Sequence, residues 1–161
     1  MSSNPRPTMY ASYIGTIGRT LESDDRQALQ CAQQRYPVAG GNFYTVRPCR
    51  AIDTRSRSGP YGGPGLTGNA VRGFSLAARC GIPPSAKAIV ANVTVVGTSS
   101  TGYLALFPSG VSRPGTSTVN FLPGRTRANN MILPLGQEAS FTAFCSSGAA
   151  HLLLDTVGYF D

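Results

Sequence analysis

Residues 88–96 read Ala-Ile-Val-Ala-Asn-Val-Thr-Val-Val, and they constrain the fold more than any other stretch of the chain. Ile89, Ala91, Val93 and Val95 face one way, and Val90, Asn92, Thr94 and Val96 face the other. Only a strand supplies that two-residue period. The β-branched side chains that dominate the segment are stiff and fit a pleated surface better than a helix. A strand with one apolar face must cover a second layer. The spacing predicts further strands at Phe43–Val46, Arg50–Asp53, Val71–Ala77, Gly102–Phe107, Thr116–Phe121, Arg127–Pro134, Ser140–Cys145 and Ala149–Tyr159, with residues 86–96 as one long strand. Pro48 is expected to separate the first two. Residues 56–70 read as a long turn-rich connection with Tyr61 at its tip. The 19 glycines and 12 prolines supply the turns. Many short strands at such spacing predict an all-β fold, a single β-sandwich of jelly-roll or Greek-key type. The 161 residues suffice for one such domain and little more.

The first 41 residues read differently. Pro5 and Pro7 favour an extended arm. Met9, Tyr10, Tyr13, Ile14 and Ile17 form an apolar-aromatic patch interrupted by Gly15 and Gly18. Ser23 can cap a short helix, with Asp24 and Asp25 in its first turn, and Pro37 ends it near Tyr36. Gly40-Gly41 is a hinge. Two segments are therefore expected: an arm with one short helix over 1–41, serving assembly or docking, and the sandwich over 42–161.

Charge narrows the function classes. The chain carries fourteen basic residues against seven acidic ones, and Lys87 is its one lysine. Ten of the basic residues and four of the acidic ones lie beyond Gly41. The arginines are scattered singly among turns. No run of five cations and no aromatic-basic motif is present, which argues against a nucleic-acid partner. Isolated arginines are expected to pair with backbone carbonyls and carboxylates. His151 is the one histidine. It has Asp155 on its own strand and no nucleophile elbow near it, so a structural role is expected and no enzymatic activity. Asp53, Asp155 and Asp161 lack the spacing of a calcium loop. No metal or cofactor is implied. No apolar stretch is long enough to span a membrane, and no ordinary secretory signal is visible.

Six blocks then follow in order: RPCRAIDTR (47–55), RCGIPPSAKAIVANVTVV (79–96), GYLALFPSG (102–110), PGTSTVNF (114–121), GRTRANNMILPLG (124–136) and HLLLDTVGYFD (151–161). Together they resemble a β-rich module common in large exported proteins of actinobacteria, myxobacteria and other bacteria. Its marks are D-T-R, A-x-x-x-N-V-T, T-S-x-x-N-F, T-R-A-N-N and a terminal D-x-x-G-Y-F. The resemblance covers about residues 43–161. It implies an accessory or repeated surface unit and brings no catalytic residues. It also implies a disulfide between Cys49 and Cys80. Cys31 and Cys145 are then left to form a second bridge or to remain buried thiols.

The remaining polar residues divide by expected role. Asp53 and Arg55 are expected to bind each other and local backbone at a strand end. Asn92, Asn120, Asn130 and Asp155 are expected to stitch strands and turns. Arg55, Arg57, Tyr61 and Tyr103 are the candidate ligand or partner face. The function expected is a non-enzymatic structural protein on a particle surface, a phage capsid-decoration or tail component, whose arm docks on a neighbouring copy or on a capsid or surface-layer subunit. The alternative is an exported cell-surface or carbohydrate-binding module.

Overall fold

The computed structural model describes residues 41–161. The expected arm, its patch of Met9, Tyr10, Tyr13, Ile14 and Ile17, the helix after Ser23, and Cys31 lie outside them. Nine strands follow one another: β1 (Phe43–Asp53), β2 (Leu66–Thr67), β3 (Val71–Ser75), β4 (Ala88–Val96), β5 (Gly102–Pro108), β6 (Val119–Phe121), β7 (Arg127–Pro134), β8 (Ser140–Cys145) and β9 (Ala149–Phe160). A 3₁₀ turn over Gln137–Ala139 precedes β8. One sheet runs β1-β9-β4-β7, with the short β2 pairing beside β1 on β9. The other runs β3-β8-β5-β6. All the pairings within these sheets are antiparallel. A five-stranded and a four-stranded sheet with this order, and a chain that crosses between them, make a jelly roll.

The alternation along β4 sets the frame. Ile89, Ala91, Val93 and Val95 are buried, and the residues between them face outward half-exposed. Their partners on β9 include Leu154 opposite Val93 and Leu152 opposite Val95, both buried. Phe74 and Phe141 answer from the second sheet, directly paired across β3 and β8, with rings 5.2 Å apart. With Leu104, Val119 and Phe121 they close a continuous apolar core between the sheets.

The first strand departs from expectation. Pro48 does not divide it: β1 runs unbroken from Phe43 to Asp53, with its register shifting between Thr45 and Cys49. β1 is an edge strand, so a residue with no N–H is accommodated at an irregular ladder step. A second shift beside Ala51 turns that side chain into the core. β2 is a strand that the Gly/Pro-rich reading of residues 56–70 did not anticipate. The strands predicted as 71–77, 86–96 and 116–121 are also shorter than expected, starting or stopping at Ser75, Ala88 and Val119.

The Cys49–Cys80 bridge implied by the resemblance is present, with Cα atoms 5.8 Å apart. It ties β1 to the turn that leads into β4. At the other end of the chain, Asn42 and Asp161 exchange two backbone hydrogen bonds of 3.0 and 3.1 Å, which places the start of β1 beside the end of β9. Gly158 is required near there. A Cβ at that position would come within 2.5 Å of the Phe43 ring and 2.6 Å of the Tyr44 carbonyl oxygen.

Candidate functional site

Three surfaces bring together residues that the sequence singled out. The first is a polar row across the outer face of the first sheet. Strand register puts Arg50 opposite Asp155, Asp155 opposite Asn92, and Asn92 opposite Asn130. Arg50 grips Asp155 with both arms of its guanidinium, Nε at 2.7 Å and Nη2 at 2.9 Å. Asn92 donates to Thr94 Oγ1 at 3.3 Å. At the end of β1, Asp53 accepts from Arg55 three times, from the backbone N–H at 3.1 Å, Nε at 2.9 Å and Nη2 at 2.7 Å. Arg50 approaches the same carboxylate at 3.6 Å. Asp53 and Arg55 thus bind each other, and Asp53 also takes the Arg55 backbone N–H.

The hydrogen bonds from the Arg55 fork hold Asp53 well below the usual carboxylate range, at about 2. The Arg55 backbone N–H and the charges of Arg55 and Arg50 add to this, and partial burial opposes it. A depressed carboxylate stabilises the fold fully above its unfolded value, and the benefit is lost as pH falls through the folded value. Asp53→Asn is therefore expected to lower the melting temperature at pH 5–7. The gap between variant and parent should narrow between about pH 4 and pH 2. A gap that stays constant over that range would refute the assignment.

The second surface surrounds the loop after β1. Tyr61 was expected at an exposed tip, but it is half-buried and packs against the core. The cause is local. The Asp53 N–H donates to the Tyr61 carbonyl at 2.9 Å, which folds the loop back, and the Arg79 guanidinium covers the ring at 4.7 Å. Arg79 also donates to the carbonyls of Ala51 and Arg50. Arg72 of β3 holds the same loop through the carbonyls of Pro64, Gly59 and Gly63. Arg57 stays exposed on this loop. His151 Nδ1 lies 3.0 Å from the Thr54 carbonyl oxygen and 3.3 Å from Thr54 Oγ1. Thr54 Oγ1 in turn accepts from the Leu152 N–H at 2.9 Å. The histidine thus ties the loop to β9.

The third surface lies on the second sheet. Tyr103 of β5 and Asn120 of β6 are register partners on its outer face. The loop that carries Arg55, Arg57 and Tyr61 is clamped to β3, at the opposite edge of that sheet. The four residues of the expected ligand face are therefore split between two places. Tyr103 and Asn120 instead line a cleft of about 520 Å³ together with Leu122 and Arg127. Neither Leu122 nor Arg127 was singled out from the sequence. Their one visible signal is an apolar residue placed beside Pro-Gly in an arginine-bearing turn.

Cys145 ends β8 as a buried thiol whose S–H donates to the Ser147 carbonyl, and burial pushes its pKa up. Its candidate partner Cys31 lies outside the described residues. Asp161 accepts from Ser85 at 2.8 Å, at the end of the molecule away from Asp53. No cluster of metal-ligating side chains occurs among the described residues. No helix among them is long and apolar enough to cross a membrane.

Fold and surfaces together define a jelly-roll β-sandwich. No family model matches the chain, and no curated protein matches it. Among solved structures, the coat protein of Tobacco streak virus in a C2 crystal form is similar with a TM-score of 0.40 and 11% identity, covering 77% of this chain and 88% of that one. The dimer of that coat protein gives 0.35 and 10%, over 74% and 87%. Likeness at that level carries no argument about function.

Proposed function

We infer that this chain is a non-enzymatic assembly protein of a particle surface, a phage capsid-decoration or tail component. The jelly roll does not decide this, because the same fold serves capsids and lectins alike. The observation that carries the reading is an apolar strip across the outer face of the first sheet. Register aligns Gly158 of β9 with Val90 of β4, and Val90 with Ile132 of β7. The next row holds Phe43 and Phe160, whose rings are 5.1 Å apart. Ile132 is 58% exposed, Phe43 47% and Val157 45%. An exposed apolar surface rimmed by polar residues marks a protein contact. Here the rim is the row from Arg50 to Asn130. The surplus of basic residues suits an acidic partner, such as a particle shell.

Light scattering on the full chain tests the reading. The parent is expected to be oligomeric or to bind purified particles. Ile132→Asp should abolish that association without lowering the melting temperature, because the side chain stands in water. A parent that is monomeric and binds no particle would overturn the reading, as would an Ile132→Asp variant that assembles normally.

A further inference from the structure

The cleft on the second sheet has features that an assembly contact does not need. Tyr103 supplies its aromatic wall, Asn120 lies beside that ring, and Arg127, the first residue of β7 at the edge of the other sheet, lines the remaining side. Leu122 forms the apolar rim and is 49% exposed. Behind Tyr103 stands Phe144, 6.0 Å away and buried, and the Arg113 guanidinium caps Phe144 at 4.0 Å.

The donors here are uncommitted among the described residues. Arg50, Arg55, Arg72 and Arg79 are all engaged by carboxylates or carbonyls. Asn129 of the same strand donates to the Thr118 carbonyl at 3.0 Å. By contrast, Asn120 and Arg127 make no side-chain hydrogen bond among the described residues. Those residues include four carboxylates, and none lines the cleft. Asp53 and Asp155 are held by arginines on the other sheet, Asp161 by Ser85, and Glu138 sits in the 3₁₀ turn.

We propose that this cleft binds an acidic sugar, a pyranose bearing a carboxylate, within a polysaccharide. Each part of such a ring has a counterpart. The apolar C–H face of a pyranose lies on an aromatic ring, and Tyr103 offers one with a polar tip. Adjacent hydroxyls need a donor and an acceptor side by side, which one amide supplies at Asn120. A carboxylate matches the planar fork of Arg127. A single-stranded nucleic acid would require a series of stacking rings along a basic groove. The cleft presents one, since Phe121 and Phe144 are buried. The cleft opens beside β5 and β6 and takes only Arg127 from β7, and the residues proposed to bind are not those of the apolar strip, so the two readings are tested separately.

Titration calorimetry on the full chain tests the proposal. The probes are short oligomers of galacturonate, glucuronate and N-acetylneuraminate, a neutral oligogalactose, and an oligothymidylate. At least one acidic oligomer is expected to bind, with the neutral one about tenfold weaker or worse. Arg127→Gln and Tyr103→Ala should each lower that affinity about tenfold, the loss of one charge-assisted contact or one stacking face. Asn120→Ala, which leaves the Tyr103–Phe144 packing untouched, should weaken binding at an unchanged melting temperature. Arg57→Gln, on the far loop, should change nothing. Failure of every acidic oligomer to bind would overturn the proposal. So would binding that survives the three cleft substitutions, or tighter binding of oligothymidylate through the same residues.

Discussion

Phe141→Ala is expected to lower the free energy of unfolding by about 3–5 kcal/mol, the range for deleting a buried aromatic ring. Phe141 is fully buried on β8 and lies against Phe74 across the β3–β8 pair. Removing it takes away the transfer free energy of the ring and leaves a cavity that two hydrogen-bonded sheets cannot close. The cavity also frees Phe74, which the Arg72 guanidinium covers at 4.7 Å. The loop that Arg72 clamps should therefore become more susceptible to protease. Phe141→Leu, which fills part of the space, should cost less. Val111→Ala, at an exposed site, should stay within about 0.5 kcal/mol of the parent. Urea unfolding measures all three. A Phe141→Ala variant within 1 kcal/mol of the parent would contradict the packing described above.

Loss of the Cys49–Cys80 bridge should have a similar effect. The cysteines are 31 positions apart. Opening a loop of that length releases chain entropy worth about 3–4 kcal/mol in the unfolded state. A domain of this size has a total stability of only about 5–15 kcal/mol, so either change removes a large share of it. The double Cys49→Ser, Cys80→Ser variant and the reduced parent should unfold at the same lower urea concentration. Reductant should leave the midpoint of the double variant unchanged. A parent midpoint indifferent to reductant would refute the expected contribution.

Local pattern and long-range pairing were not equally legible. The β4 alternation declared its inner and outer faces because a strand's period is written in consecutive residues. Pro48 misled because its cost depends on whether the strand is at an edge, and edges are decided by pairing partners a hundred residues away. β2 was hidden because a two-residue strand has no period to read. Asp53 and Arg55 were legible as a pair because they are near neighbours in the chain. Asp155, Asn92 and Asn130 were visible as polar residues, but not as one row with Arg50, since register alone aligns them. Tyr61 was misplaced because an arginine on a distant turn covers it. Tyr103 and Asn120 stood out by residue type, yet their partners Leu122 and Arg127 did not. The cleft exists only where the edges of two sheets meet.

The paired ends at Asn42 and Asp161 set how this unit responds to mechanical load. β1 and β9 are antiparallel neighbours whose outer ends lie together. A pull applied across those two ends opens their ladder from one side, so the hydrogen bonds yield one after another and not as a group. On the β1 side, the covalent link from Cys49 to Cys80 would carry the tension past residues 50–79, so the rest of β1 would stay in its ladder while β9 continues to yield. A pull between one end and a partner held on the sheet face would instead load many bonds at once. The same unit would thus be soft to a pull across its paired ends and stiffer to a pull across its face.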